Sequence, residues 1–276
     1  SFVVLVILAA FWLIPTVGLF ITSLRAKGEA QTSGWWDVFL NPFSQDWDLS
    51  SYTTVLTENK LGASFISSLA VTIPATVLPL LFAAYAAFGF TFLKFRGREF
   101  FFSVIIGLLV VPIQGALVPV LKMFISFTDK TGIEISGQYA AAWFVHSAFA
   151  MPLAIYILRN YMMTVPNTLI EAARMDGAGP MRFFKDILLP LSATNIAALF
   201  VIQFIYGWNQ YLWPLLVTTN EDMYSIVMGI KRMLAGEAYT EWNVVMATAI
   251  LAMLPPALVV ILMQKWFVKG LVDTEK

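Results

Sequence analysis

The chain of 276 residues is 59% hydrophobic and 12% charged, with a mean hydropathy of +0.77 and no net charge. Soluble domains carry about a quarter charged residues, so this composition is that of a membrane protein. The charge balance offers no basic patch for nucleic acid, and the lack of cysteine excludes disulfides, thiol catalysis and cysteine-ligated metal.

A helix needs about 20 apolar residues to cross the hydrocarbon of a bilayer. Six stretches qualify: 2–24, 65–92, 100–125, 139–163, 195–217 and 244–268. The expected fold class is all-α, a polytopic membrane protein of six transmembrane helices forming a single domain over 1–276. The first run opens at Ser1, as expected of a chain preceded by a polar tail. It is too long for a signal peptide, and no small-residue cleavage site follows it. Prolines inside the runs (Pro15, Pro74, Pro79, Pro112, Pro119, Pro152, Pro255, Pro256) are expected to kink spans, because neighbouring helices and water can satisfy the freed carbonyls.

Three polar connections join these spans on one side. Residues 25–64 carry Trp35, Trp36 and Trp47 with four acidic residues between 29 and 48, and interfacial anchoring accounts for the tryptophans. Residues 126–138 form a short turn. Residues 218–243 contain Glu221, Asp222, Glu237 and Glu241.

The span interiors carry no Asp, Glu, Lys or Arg; Lys122 and Arg159 fall near ends, where long side chains reach the interface. An ion-coupled transporter needs such groups to bind its coupling ion. His146, in the fourth span, is expected to be a hydrogen-bonded structural histidine rather than a proton relay. No Gly-x-x-x-x-Gly-Lys-Ser/Thr loop is present to hold a nucleotide. The chain is therefore read as no enzyme, without a cofactor of its own, and dependent on a partner for energy.

Its membrane polar groups are neutral. The fifth span holds Gln203, Tyr206, Trp208, Asn209, Gln210, Tyr211 and Trp213, and the third holds Gln114. Asn209 follows Asn195 by about 21 Å of helix, which places it well across the bilayer. Amides and rings can grip a sugar by hydrogen bonding and stacking. Gln114, Gln203, Tyr206, Trp208, Asn209 and Gln210 are thus candidates for a substrate path. An aromatic belt with interhelical hydrogen bonds is an equal reading of the same residues.

Residues 164–190 form a polar island between the fourth and fifth spans. Thr164 is expected to cap a helix whose first turn holds Pro166, and Leu169, Ile170, Ala172 and Ala173 make its apolar stripe. Gly177 suits the left-handed residue that ends a helix. Gly179 and Pro180 restart one, Met181, Phe183, Phe184 and Ile187 give it an exposed apolar face, and Pro190 stops it. Helices this short are not stable alone. That face must bury itself either against the chain's own helix ends or in a partner's groove.

The order Glu171-Ala172-Ala173-Arg-Met-Asp176-Gly177-Ala178-Gly-Pro180, with the Leu189-Pro190 exit, resembles the Glu-Ala-Ala loop of permease subunits in binding-protein-dependent ABC importers. Gly179 departs slightly from the serine common there. From Leu169 onward the chain looks like carbohydrate permeases of the maltose-transporter type. The run Gly207-Trp-Asn-Gln-Tyr-Leu-Trp-Pro214 and the tail 267–276 are similar to the second permease of glycerol-3-phosphate importers. Trp12-Leu-Ile-Pro-Thr-Val-Gly18 and Gly34-Trp-Trp36 look more like α-glucoside permeases.

The resemblance implies a cytoplasmic coupling-helix loop over 164–190. In it Glu171, Ala172, Ala173, Asp176, Gly177, Ala178, Met181, Phe183 and Phe184 meet an ATPase, and docking in its groove becomes the better account of the apolar face. It also implies a second permease subunit, two copies of a cytoplasmic ABC ATPase that bind ATP and Mg, and an extracytoplasmic substrate-binding protein meeting residues 218–243. The location implied is the prokaryotic cytoplasmic (inner) membrane. With the loop inside, ten basic residues are cytoplasmic and seven are not, and both termini are cytoplasmic. A phosphate dianion calls for a cation that the span interiors lack, which favours a neutral α-glucoside or oligosaccharide over glycerol-3-phosphate. A stand-alone channel or secondary transporter is the distant alternative.

Overall fold

The computed structural model describes residues 2–57, 61–218, 220–235 and 240–273, with side chains through Trp266. Glu237 and the side chains of the tail 267–276 lie outside the described residues. The described residues are 79% helical and include no strand, as expected of an all-α protein.

The helices in order are α1 (Phe2–Ser23), α2 (Lys27–Thr32), α3 (Asp37–Leu40), α4 (Ser50–Thr57), α5 (Leu61–Phe92), α6 (Arg98–Leu108), α7 (Leu117–Thr131) and α8 (Tyr139–Met162). There follow α9 (Asn167–Met175), α10 (Pro180–Phe183), a π-helical turn Phe184–Leu188, α11 (Leu189–Leu191), α12 (Ala193–Trp208), α13 (Leu212–Val217), α14 (Ile226–Ala235) and α15 (Trp242–Asp273). Among the described residues four helices are long and apolar enough to cross a membrane: α1, α5, α8 and α15 through Trp266. A fifth crossing arises if Pro180–Leu191 and Ala193–Trp208, which meet at 69°, count as one bent span.

Two expected spans are therefore interrupted. The third breaks between Leu108 and Leu117. Pro112 has no N–H to give and disfavours helix at the residue before it. The break satisfies its backbone locally: Leu109, Val110, Val111 and Gly115 each donate to the carbonyl three residues back. The fifth breaks after Trp208 and resumes at Leu212, two residues before Pro214. Pro15, Pro74, Pro79, Pro152, Pro255 and Pro256 lie inside continuous helices.

The chain divides into two compact units, Ser1–Ser68 with Glu221–Ala257, and Leu69–Asn220 with Leu258–Lys276. In the first, α1 is exposed around almost its whole circumference, apart from Gly18 and Ser23. Arg25, 1% exposed, ties the segment after it: its guanidinium donates to the carbonyls of Ser33 and Gly34 at 3.1 Å and pairs with Glu29 at 3.6 Å. Asn243 donates to Ser51 Oγ at 2.9 Å, and Ser68 Oγ accepts the N–H of Ile226 at 2.8 Å.

In the second unit Leu80, Ala84, Ala87 and Phe88 of α5 pack with Ala154, Ile155 and Leu158 of α8 and Leu199 of α12. Trp143 Nε1 donates to the Ala70 carbonyl at 2.8 Å. Arg159 lies in the last turn of α8, near the span end as expected. It pairs with Glu99 at 3.2 Å and lies 3.8 Å above the Phe102 ring, joining α8 to α6. His146 is buried, and neither ring nitrogen has a hydrogen-bond partner among the described residues, contrary to the expected bonded histidine.

A Cβ at Gly207 would meet Thr72 Cγ2 at 3.5 Å, an ordinary contact. Gly207→Ala should therefore be tolerated. Gly207→Leu should overpack α5 against α12 and cost roughly 1–3 kcal/mol, read as a lower midpoint in thermal unfolding of the solubilised protein.

Candidate functional site

The polar island is a built structure rather than a loose loop. Thr164 Oγ1 donates to Tyr161 O at 2.7 Å, so it closes α8 and does not cap α9 as expected. Pro166 stands at the N-cap in extended conformation, and α9 begins at Asn167. At the other end Gly177 adopts φ +75. Ala178 N–H donates to Ala173 O at 2.8 Å, and Gly177 N–H to Arg174 O at 3.0 Å. This is the paired 6→1 and 5→2 closure of a helix by a left-handed residue, the role expected of Gly177. Gly179 is extended at φ −69 and ψ 167, and Pro180 opens α10, also as expected.

The second helix departs from expectation in two ways. Pro190 does not stop it: the backbone widens into the π turn, passes Pro190 and bends only at Ser192. Nor do Phe183 and Phe184 form an exposed face. They are 5% and 1% exposed. Phe184 packs on Tyr85 and Phe88 at ring distances of 4.8 and 5.0 Å, and Phe183 meets Phe92 edge-on at 5.5 Å. Burial of a phenylalanine contributes about 1.5–3 kcal/mol, so own-chain packing accounts for the order of these short helices.

The opposite face is open. Glu171, Ala172, Arg174, Asp176, Gly177, Met181 and Arg182 are exposed, whereas Ala173 is buried and Ala178 half-buried. Met175, which the sequence reading passed over, is 89% exposed beside Gly177. The signal was available: an unbranched apolar residue in the last turn of a helix, flanked by Arg174 and Asp176. A cavity of about 160 Å³ lies under the loop, lined by Phe88, Phe92, Ile170, Ala173, Arg174 and Pro180 among others.

The candidates for a substrate path are not brought together as one surface. Trp208 is 2% exposed and stacks on Phe204 at 5.8 Å, and Gln203 is 8% exposed with neither amide atom partnered. Both serve the interior of the unit. Asn209 is exposed at the break after α12, with Nδ2 donating to Ile205 O at 2.9 Å; Gln210 beside it is half-buried. Tyr206 is exposed, and so is Gln114 in the break between α6 and α7.

Residues 79–273 match the family model described as "Binding-protein-dependent transport system inner membrane component". The chain belongs to this family.

Among its relatives are the sn-glycerol-3-phosphate transport system permease proteins UgpE of Brucella melitensis and Agrobacterium fabrum, 46% and 47% identical over 220 residues, covering 79% of this chain and 74% of theirs. The osmoprotective compounds uptake permease protein GgtD of Synechocystis sp. is 36% identical over 266 residues, covering 96% of this chain and 87% of its own. In fold the chain is similar to one in the crystal structure of a bacterial ABC transporter that imports the acidic polysaccharide alginate. That match has a TM-score of 0.79 and 23% identity and covers 96% of this chain and 94% of the other. Members of the family are non-catalytic permease subunits of the inner membrane.

Anchoring and docking separate by mutation. Phe184→Ala should cost roughly 3–5 kcal/mol of stability, as large-to-small changes in a core do, seen as a lowered unfolding midpoint. Met181→Ala should leave the midpoint within error. Equal midpoints for both would contradict an anchoring role for Phe184.

Proposed function

We propose that the chain is one half of the translocation path of an ATP-driven importer and that residues 164–190 couple it to the ATPase. The observation that carries this reading is the two-sided loop: aromatic rings fix one face to α5, and a mixed apolar and charged face is left open. A partner pushing on Glu171, Met175, Asp176 and Met181 would displace α5 with the loop, because Phe183 and Phe184 pack directly on Tyr85, Phe88 and Phe92. The left-handed Gly177 sets the angle between the two short helices. The partners are a second permease subunit, two copies of a cytoplasmic ABC ATPase holding ATP and Mg, and an extracytoplasmic substrate-binding protein meeting residues 218–243. Broken segments complete six crossings of one transmembrane domain over 1–276, with both termini cytoplasmic.

Irregular backbone inside an apolar span is tolerated only where protein or water satisfies it. The breaks at 109–116 and 209–211 carry Gln114, Asn209 and Gln210, which supports these three as path residues over the buried Gln203 and Trp208. Neutral amides suit the hydroxyls of an α-glucoside or oligosaccharide. A second reading, sn-glycerol-3-phosphate, is favoured by the identity to the UgpE proteins and by Lys122, an exposed ammonium on α7.

Uptake assays over a panel of glucosides and glycerol-3-phosphate separate the two readings. Glucoside uptake insensitive to Lys122→Gln is the expected result; phosphate-ester uptake lost in that variant would establish the second. For coupling, Gly177→Pro and Glu171→Lys should leave the complex inserted but lower transport and substrate-stimulated ATPase activity several-fold. Wild-type rates in both would remove the coupling role. For orientation, a cysteine placed at Arg182 in this cysteine-free chain should react from the cytoplasmic side, and reaction only from the other side would overturn the topology.

A further inference from the structure

The exposed aromatic segment between α2 and α4 is used neither by the coupling loop nor by the path. Trp36, Phe39, Leu40, Phe43, Trp47 and Leu49 are between 54% and 103% exposed, a concentration of large apolar side chains that soluble surfaces avoid.

Its position is set by two tethers to the end of α1. Trp35 lies against Gly18, where an added Cβ would meet its ring nitrogen at 2.8 Å. Trp47 bridges Arg25 in antiparallel fashion: Ala26 N–H donates to Asp46 O at 2.9 Å, and Asp48 N–H donates to Leu24 O at 2.8 Å. Trp35 also holds Trp36 and Phe39 edge-on at 6.1 and 6.2 Å. Gly18 precedes the last residue of α1 by about 8 Å of helix. A 22-residue helix is about 33 Å long and just crosses the roughly 30 Å of hydrocarbon. The patch is thus pinned where α1 leaves the membrane, at the boundary between the acyl chains and the headgroup layer of about 5–8 Å per side.

Charge narrows the occupant. Residues 28–57 contain Glu29, Asp37, Asp46 and Asp48 and no lysine or arginine. Among the described residues the basic neighbours are already engaged, Arg25 with Glu29 and Lys27 with Glu241. Asp37 accepts from Asn41 and Gln45, and bonds from the Ser50 hydroxyl and backbone hold the Asp48 carboxyl below the usual carboxylate range. Anionic headgroups recruit basic segments, and this one is acidic. Exposed indole and phenyl faces attract ammonium groups.

We infer that residues 34–49 lie in the membrane interface at the end of α1 and bind the ammonium-bearing headgroups of zwitterionic phospholipids. This seat orients α1, which has almost no packing inside the chain. It depends on α1 spanning the bilayer and not on the coupling or substrate readings.

The absence of native cysteine makes the test direct. Phe39→Cys, Phe43→Cys and Asp46→Cys variants, each spin-labelled, are assembled with cysteine-free partners in nanodiscs of phosphatidylethanolamine and phosphatidylcholine. Labels at 39 and 43 should be several-fold more accessible to oxygen than to a water-soluble nickel chelate, and the label at 46 should show the reverse. Replacing half the lipid with phosphatidylglycerol should reduce the oxygen preference at 39 and 43. Nickel preference at 39 and 43 would overturn the inference by placing the patch in water. Labels closed to both reagents would overturn it by placing the patch under protein, and an oxygen preference unchanged or strengthened by phosphatidylglycerol would overturn the zwitterionic assignment.

Discussion

The stacking of Phe183 and Phe184 on Tyr85, Phe88 and Phe92 is the contact on which the rest depends. Helices of nine and four residues have no stability of their own in water. Aromatic pairs add about 0.5–1.5 kcal/mol each beyond simple burial, so this one cluster orders the loop and joins it to α5. The same core takes in Leu199 and, at its edge, Phe200 of α12, so the loop is fixed to the helices on both sides of it in the sequence. A transmitting element needs that stiffness on one side and an open surface on the other. Exposed Met175 and Met181 suit the open side, because methionine is flexible and polarizable and repacks against a changing surface.

A second constraint acts within the apolar spans. Backbone groups there must be satisfied internally, and an interruption is stable only where turns, protein or water supply partners. The break after α6 uses i−3 carbonyls, and the break after α12 uses Asn209 Nδ2 on its own helix. Both interruptions sit beside prolines, and both carry exposed polar side chains. Continuous helices run through Pro74, Pro79 and Pro152, so proline alone does not explain the breaks. Gly115 in one and the Asn209–Gln210 pair in the other supply the additional turn chemistry.

Much of this was legible in the residues. Hydropathy located α1, α5, α8 and α15 to within a few residues, and Gly177, Gly179 and Pro180 predicted the bend and restart of the loop. What was not legible is which way a short amphipathic helix turns its apolar face. Met181, Phe183, Phe184 and Ile187 have helical spacing under either arrangement, and only tertiary packing shows that the rings go inward while Met181 stays outside. The same ambiguity affected Trp208 and Gln203: chemistry suited them to a sugar, whereas the turn of α12 points them into the unit. Pro190 misled for a different reason, since a π turn let the helix pass the residue that was expected to end it.

The central claim is that the loop and α5 move as one body. The direct measurement is the distance between spin labels at Arg182 and at Phe82 of α5, both exposed, in the assembled transporter without nucleotide and with ATP bound. The account predicts a narrow distribution with the same mean in both states. A shift of several ångströms, or a distribution that broadens on ATP binding, would show the loop moving over α5 and would contradict it.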